Sequence, residues 1–485
     1  MYRLPLLSCA LLALSPAALA GSKNPADDHV LSALRKDIPS LMQQAGVPGL
    51  SVALIRNGKT YSLQNYGVKK ADTQDAVTDG TVFNIGSLSK PVFAYGVLKL
   101  VDAGKLKLDE PIASYLRNEE TIDDPRFRQI TARIILSHRT GFPNWPGDGQ
   151  PLTIHFTPGE RFSYSGAGMV LLSKAVEHIT GKPLNDYMQE AVFNPLGMTS
   201  SSYIWRSAYD STVAIGHESN GAPVAPFKAK EANAAASLET TTHDYALFVE
   251  AVLAGKGLKP ATLRQMETPQ IAVDPECTNC TDTVPKQRSK SVFWGLGWGI
   301  EQTPQGESLW HWGDNGVYKA WVEVRLKTKD AVIIFTNSAN GLAIARSIVN
   351  DALGGDQPAF DWLKYDNYDS ASFKFSRAID RDSAADVLKA FTSDLNSGAI
   401  SENTINLAGY TLLYGKKAPA DAILVFRKNV QLHPDSWNAY DSLAEGYLKD
   451  GQKDLAIKNY EKSLQLNPNN SNGADALKKL QDQQP

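Results

Sequence analysis

Cysteine is scarce, three in 485 residues, and that scarcity leaves little to build a metal or redox centre. Cys277 and Cys280 stand in the run C-T-N-C. In an oxidising compartment the pair reads as a small loop disulfide or as two free thiols. A metal there needs further ligands, and His311 is the only later candidate in the same domain. A thioredoxin-like role needs a βαβ setting that the flanking residues lack. An excess of one charge is also missing. The 49 Lys+Arg against 52 Asp+Glu leave a formal net charge of -3, so no basic surface is expected for nucleic acid. Past the N-terminus no apolar run reaches bilayer length, so no transmembrane segment is expected. Neither G-x-S-x-G nor H-E-x-x-H occurs, which removes two common hydrolase designs. No cofactor and no metal is implied.

What is present is ordinary globular usage, 42% hydrophobic and 21% charged, on a chain long enough for two domains. Residues 1–20 read as a secretory signal: Arg3, an apolar core from Leu4 to Leu14, then Ala18-Leu19-Ala20 ahead of Gly21. A cut after Ala20 removes Cys9 and predicts a secreted or periplasmic protein. Leu6-Leu7-Ser8-Cys9 offers a lipoprotein alternative with almost no hydrophobic region ahead of the cysteine.

Helical spacing from Val30 to Gln43 ends at Gly46-Val47-Pro48-Gly49. Asn57-Gly58 between Leu50–Arg56 and Lys59–Tyr66 predicts a β-hairpin. A helix over about 88–103 stops at Gly104, and helices and loops fill roughly 110–260. Strands are expected at Trp294–Ile300, Ala320–Leu326 and Ala331–Thr336, then a helix at Leu342–Leu353 before Gly354-Gly355. Strand pairs at both ends of one domain, residues 28–355, predict an α+β fold with a central antiparallel sheet whose halves are distant in sequence. Residues 356–383 form an aromatic-rich, loop-like connecting segment that packs across this domain. Over 384–483, Ala422, Ile423, Phe426, Leu432 and Pro434 recur at an offset of 34 as Ala456, Ile457, Tyr460, Leu466 and Pro468. That register resembles the tetratricopeptide repeat, an α-helical repeat domain suited to a protein partner or self-association.

The chemistry begins at Asn84-Ile85-Gly86-Ser87-Leu88-Ser89-Lys90-Pro91. A three-residue step places Ser87 and Lys90 on one helix face. Pro91 is tolerated only near a helix start, where unpaired N–H groups favour negative charge. A serine hydroxyl needs an adjacent base, and a desolvated lysine supplies one.

Three further runs carry a resemblance: Leu136-Ser137-His138-Arg139-Thr140-Gly141-Phe142-Pro143, Thr157 to Gly166 with Tyr164 inside it, and His311-Trp312-Gly313. With Asn194-Pro195-Leu196-Gly197-Met198 and Gly295-Leu296-Gly297-Trp298, they make residues 30–353 resemble the serine β-lactamase and penicillin-binding protein superfamily, class C β-lactamase-like branch. The resemblance implies a sheet flanked by helices beside an all-helical lobe, with His311-Trp312-Gly313 on the edge strand next to the serine. It implies Ser87 as acylated nucleophile and Lys90 and Tyr164 as its proton-handling partners, the division between them left open. It also implies an oxyanion hole from the N–H groups of Ser87 and Asp314. Substrate contacts are expected at His311, Trp312, Gly313, Gly166 and Trp145. Phe142, Trp145, Trp294 and Trp312 each read as pocket lining or as core. His138 is expected to make a structural hydrogen bond.

Two departures bear on substrate. The family's Y-x-N is Tyr164-Ser165-Gly166 here, without the amide, and His311 replaces a lysine. Both favour an exported esterase or D-amino-acid-type peptidase forming an acyl-enzyme on a small molecule or peptide. A β-lactamase or penicillin-binding D,D-peptidase is the alternative. A non-catalytic penicillin-recognising protein acting through its repeats is the other.

Overall fold

The computed structural model describes residues 25–147 and 149–482, with side chains from residue 28. The expected signal segment and Cys9 lie outside the described residues. Eight strands form one antiparallel sheet: β1 (Gly49–Arg56), β2 (Lys59–Gly67), β3 (Ile271–Ala272), β4 (Val292–Trp294), β5 (Gly299–Thr303), β6 (Gly306–Asp314), β7 (Lys319–Arg325) and β8 (Asp330–Thr336). Their order is β2-β1-β8-β7-β6-β5-β4-β3. β1 pairs with β8 from Leu50↔Thr336 to Ile55↔Ala331, so the two sequence-distant halves join at the sheet centre. Asn57 and Gly58 both take positive φ, 51° and 77°, the backbone a two-residue hairpin turn requires.

Alternation along the strands separates two cores. Ala331, Ile333 and Phe335 of β8 face a helical lobe, whereas Val332 and Ile334 face the terminal helices α1 (Pro25–Ala45) and α5 (Leu342–Leu353). The lobe contains α2 (Ser89–Asp102), α3 (Gly166–Thr180) and α4 (Thr242–Leu253). Leu309 of β6 faces the lobe, and Trp310 and Trp312 face the other way, so His311 shares the lobe face with Leu309.

The strand expected at Trp294–Ile300 is two strands, β4 and β5. Between them the N–H of Gly295 bonds to the C=O of Trp298 in a tight turn. There Gly297 (φ 85°) presses on α2, and a Cβ would collide with Ala94. The helix expected from Leu88 begins instead as a 3₁₀ turn at Gly86–Leu88 and becomes α-helical at Ser89. The connecting segment is less loop-like than its composition implies. Pro358–Leu363 forms α6 and Ala371–Arg381 forms α7, the latter capped by Ser370.

α7 joins the two halves of the molecule, because Phe373 belongs to the sheet core and Phe375 and Ile379 to the repeat core. The helix expected near Ala384–Leu395 is broken into Ala384–Ala390 and Thr392–Ser397. An unforeseen helix, α8 (Glu402–Tyr410), precedes the repeats α9 (Pro419–Leu432), α10 (Trp437–Lys449), α11 (Lys453–Leu466) and α12 (Ser471–Gln481). The Phe426 ring sits where a side chain on Gly409 or Gly446 would be, so the helices close on the ring through two glycines. Among the described residues, no helix is long and apolar enough to cross a membrane.

Candidate active site

Ser87 stands in the first helical turn after a sharp bend at Gly86 (φ 51°). A Cβ on Gly86 would come within 3.2 Å of the backbone of Asp314, and one on Gly313 would collide with the carbonyl oxygen of Ile85. Two glycines therefore let the serine turn and β6 meet backbone to backbone. The turn is braced from beneath. Asn84 Oδ1 accepts from the Gly86 N–H (3.1 Å) and from Asn315 Nδ2 (2.7 Å), while Asn84 Nδ2 donates to Glu239 Oε1 (2.8 Å). Burial pushes the Glu239 carboxyl up to about 7. Ser89 Oγ donates to the Gly86 carbonyl (2.6 Å) and accepts from the Leu238 N–H (3.0 Å).

β6 is not an edge strand along its whole length, contrary to the expectation. β5 pairs with it only from Gly306 to Trp310. Beyond Trp310 that side is open. The Asn315 N–H bonds to the Tyr318 carbonyl (3.1 Å), so by antiparallel alternation the N–H of Asp314 turns to the open side, toward the serine.

Lys90 is 0% exposed. Its amine donates to Ser87 Oγ (2.9 Å) and to the Ala235 carbonyl (2.9 Å), and lies 4.8 Å from the centroid of the Tyr164 ring. Burial drives the Lys90 ammonium well below its ordinary range. Ser87 itself is only half-buried, so substrate can reach it. Tyr164 is buried, and burial raises its phenol far above the ordinary value, an effect that Ser87 opposes. The Tyr164 hydroxyl is thus close enough to feel Ser87, yet it makes no hydrogen bond of standard geometry at rest. Its backbone N–H is held by the Thr278 carbonyl (2.8 Å), in the loop closed by the Cys277–Cys280 disulfide.

His138 and His311, close to Tyr164, are both buried, and burial lowers both imidazoles from their ordinary range. Burial, aided by Lys90, holds His311 down to about 3, and its Nδ1 lies 2.8 Å from the Trp312 carbonyl. The expected structural bond of His138 is present: Ser165 N–H donates to His138 Nδ1 (3.0 Å). The His138 ring lies 4.3 Å from that of Tyr164. Trp312 packs on Tyr164 as well, with centroids 4.7 Å apart.

Of the four aromatics in question, Phe142 and Trp294 are fully buried core and Trp312 is nearly so, while Trp145 is 46% exposed. A Cβ on Gly166 would lie 2.6 Å from the Trp145 ring. The indole therefore fills the space of the side chain that Gly166 lacks. Asn144 secures this arrangement, accepting the Gly166 N–H at Oδ1 (2.8 Å) and the Ala167 N–H at its carbonyl (2.9 Å). Sequence reasoning missed Asn84, although it opens the run that carries Ser87 and Lys90. It also missed the Ala235 carbonyl, for which no sequence signal exists.

The profile of the Beta-lactamase family matches residues 34–350. The chain belongs to the Beta-lactamase family. A tetratricopeptide-repeat profile matches residues 437–470. Among curated relatives of this Beta-lactamase family chain, Penicillin-binding protein 4 of Amycolatopsis lactamdurans is 26% identical over 337 residues, covering 65% of this chain and 87% of that protein. A Beta-lactamase of Pseudomonas fluorescens is 29% identical over 225 residues, 44% of this chain and 62% of its own length. The chain thus spans less than two thirds of that second relative. The structure of an octameric penicillin-binding protein homologue from Pyrococcus abyssi shares the fold, with TM-score 0.56, 22% identity, and 72% and 81% of the two chains covered.

Proposed function

We propose that this Beta-lactamase family chain is an exported serine hydrolase that forms an acyl-enzyme on esters through Ser87. The observation that carries this reading is the buried Lys90 amine 2.9 Å from Ser87 Oγ, with burial driving its ammonium well below the ordinary range. A lysine that has given up one of its three ammonium protons has a lone pair to receive one, and reversing the direction of that hydrogen bond moves the hydroxyl proton onto nitrogen. Tyr164 remains a phenol at neutral pH, because burial opposes its ionisation. In this proposal Lys90 is therefore the base for acylation, and Tyr164 relays the proton to the leaving group. The N–H groups of Ser87 and Asp314 receive the oxyanion, and each such donor is worth roughly 100- to 1000-fold in rate.

Esters are favoured over β-lactams by two features. The Trp145 indole occupies the place of the amide that holds an acylamino group, and the neutral His311 offers no fixed cation for a substrate carboxylate. Trp145 itself presents an exposed aromatic surface to an apolar acyl chain. The repeats are proposed to bind a protein partner.

The test uses a fluorophosphonate probe with p-nitrophenyl acetate, a chromogenic cephalosporin and a D-alanyl amide. Labelling and ester turnover disappear in Ser87→Ala, and the wild type hydrolyses the ester fastest. A wild type that resists labelling sinks the enzyme reading. Faster turnover of the cephalosporin or the amide sinks the ester assignment.

A further inference from the structure

Tyr365 belongs to the connecting segment and falls outside the stretch that matches the Beta-lactamase family. It follows Lys364, whose positive φ (57°) ends α6 and turns the chain back toward β6. α6 is itself pinned beside the site. Trp362 Nε1 donates to the Asp274 carbonyl (2.7 Å), its ring lies 6.2 Å from that of Trp312, and Lys364 pairs with Glu276 (3.0 Å). From this support the Tyr365 hydroxyl reaches Asp314 Oδ2 at 2.6 Å, although the residue remains 37% exposed. The other carboxylate oxygen accepts from the Lys319 ammonium and from the Gly316 N–H (3.1 Å). Lys319 Nζ also lies 5.9 Å from the centre of the Tyr365 ring.

Three donors thus converge on the carboxylate of the residue whose N–H faces Ser87. The convergence has an electrostatic purpose. A free carboxylate next to an oxyanion raises the energy of the tetrahedral intermediate, since like charges at close range repel. A carboxylate bonded to an ammonium and a phenol is compensated and held in place, and so is the peptide that carries the N–H.

We infer that Tyr365 is a positioning residue for acyl transfer, acting through Asp314, so that the segment tethering the repeats completes the hydrolase site. This rests on the proposed acyl-enzyme function. Tyr365 does not touch the reacting atoms; it restrains and screens the carboxylate behind the oxyanion donor. The hydrolase domain thereby depends on a residue from the segment that leads to its helical partner domain.

Tyr365→Phe in the full-length protein removes only the hydroxyl and keeps the ring. The expected result is a fall of about tenfold in kcat for p-nitrophenyl acetate and in the rate of Ser87 labelling. KM stays within about twofold and the melting temperature is unchanged. In an Asp314→Ala background the hydroxyl has no carboxylate to hold, so adding Tyr365→Phe has no further effect. Wild-type kcat in Tyr365→Phe overturns the inference, as does an equal further loss in the Asp314→Ala background. Labelling that persists in Ser87→Ala sinks the acyl-enzyme reading itself, a result distinct from either of these.

Discussion

A single methylene or a single proton decides much at this site. The step of three from Ser87 marks Lys90 in the sequence, but its complete burial, which drives the ammonium well below its ordinary range, is not marked there. His311 follows the same logic. Its folded pKa is held down to about 3, against about 6.5 for an unfolded histidine. Between those values the unfolded chain binds a proton that the folded chain does not, so stability falls as pH drops through this window. The cost is at most about 1.4 kcal/mol per pH unit. Glu239 and Glu323, both raised to about 7 by burial, act in the opposite sense as pH falls. Comparison with a variant therefore isolates the histidine. Urea melts at pH 7 and pH 5 should show His311→Gln losing less stability on acidification than the wild type. Parallel losses in the two proteins refute the assignment of a buried neutral imidazole.

Among elements, the decisive event is the approach of β6 to the turn before α2. The S-x-x-K spacing and its proline were readable as a helix start, and the Asn57-Gly58 hairpin was readable from two residues. The open end of β6 was not, because it depends on where β5 stops pairing, at Gly299↔Trp310. Gly313 makes the approach possible, and Gly313→Ala places a methyl against the Ile85 carbonyl. Displacing β6 moves the Asp314 N–H away from Ser87. The variant should keep its circular dichroism spectrum while the rate of Ser87 labelling drops at least about 100-fold, the worth of one oxyanion donor. Unchanged labelling would mean that the Asp314 N–H is not such a donor.

For the whole molecule, the repeats and the sheet share one structural member. Phe360 stacks on Trp321 at 3.9 Å, Phe373 completes the sheet core, and Phe375, two residues on, enters the repeat core. Burying a side chain of this size contributes about 1.5–3 kcal/mol. A chain ended after Gly355 loses all of these contacts and uncovers Trp321. It should aggregate on expression or melt more than about 5 °C below the full-length protein, as read by calorimetry. A truncated chain with the full-length melting temperature would show that the hydrolase half is self-sufficient.

Local order was written in the residues themselves. The hairpin follows from Asn-Gly backbone preference, and the helix at Leu342–Leu353 follows from its periodicity and terminal glycines. The 34-residue recurrence returns small and ring-bearing positions together, Ala422 and Phe426 as Ala456 and Tyr460. These depend on neighbours a few positions apart, or on a pattern repeated along the chain. The burial of Lys90, the indole resting on Gly166 and the bond from Tyr365 to Asp314 were settled only in three dimensions. Each joins groups that no local rule connects, and each owes its effect to the exclusion of water or to a gap one side chain wide. Those conditions exist only once sheet, lobe and connecting segment have closed around the serine.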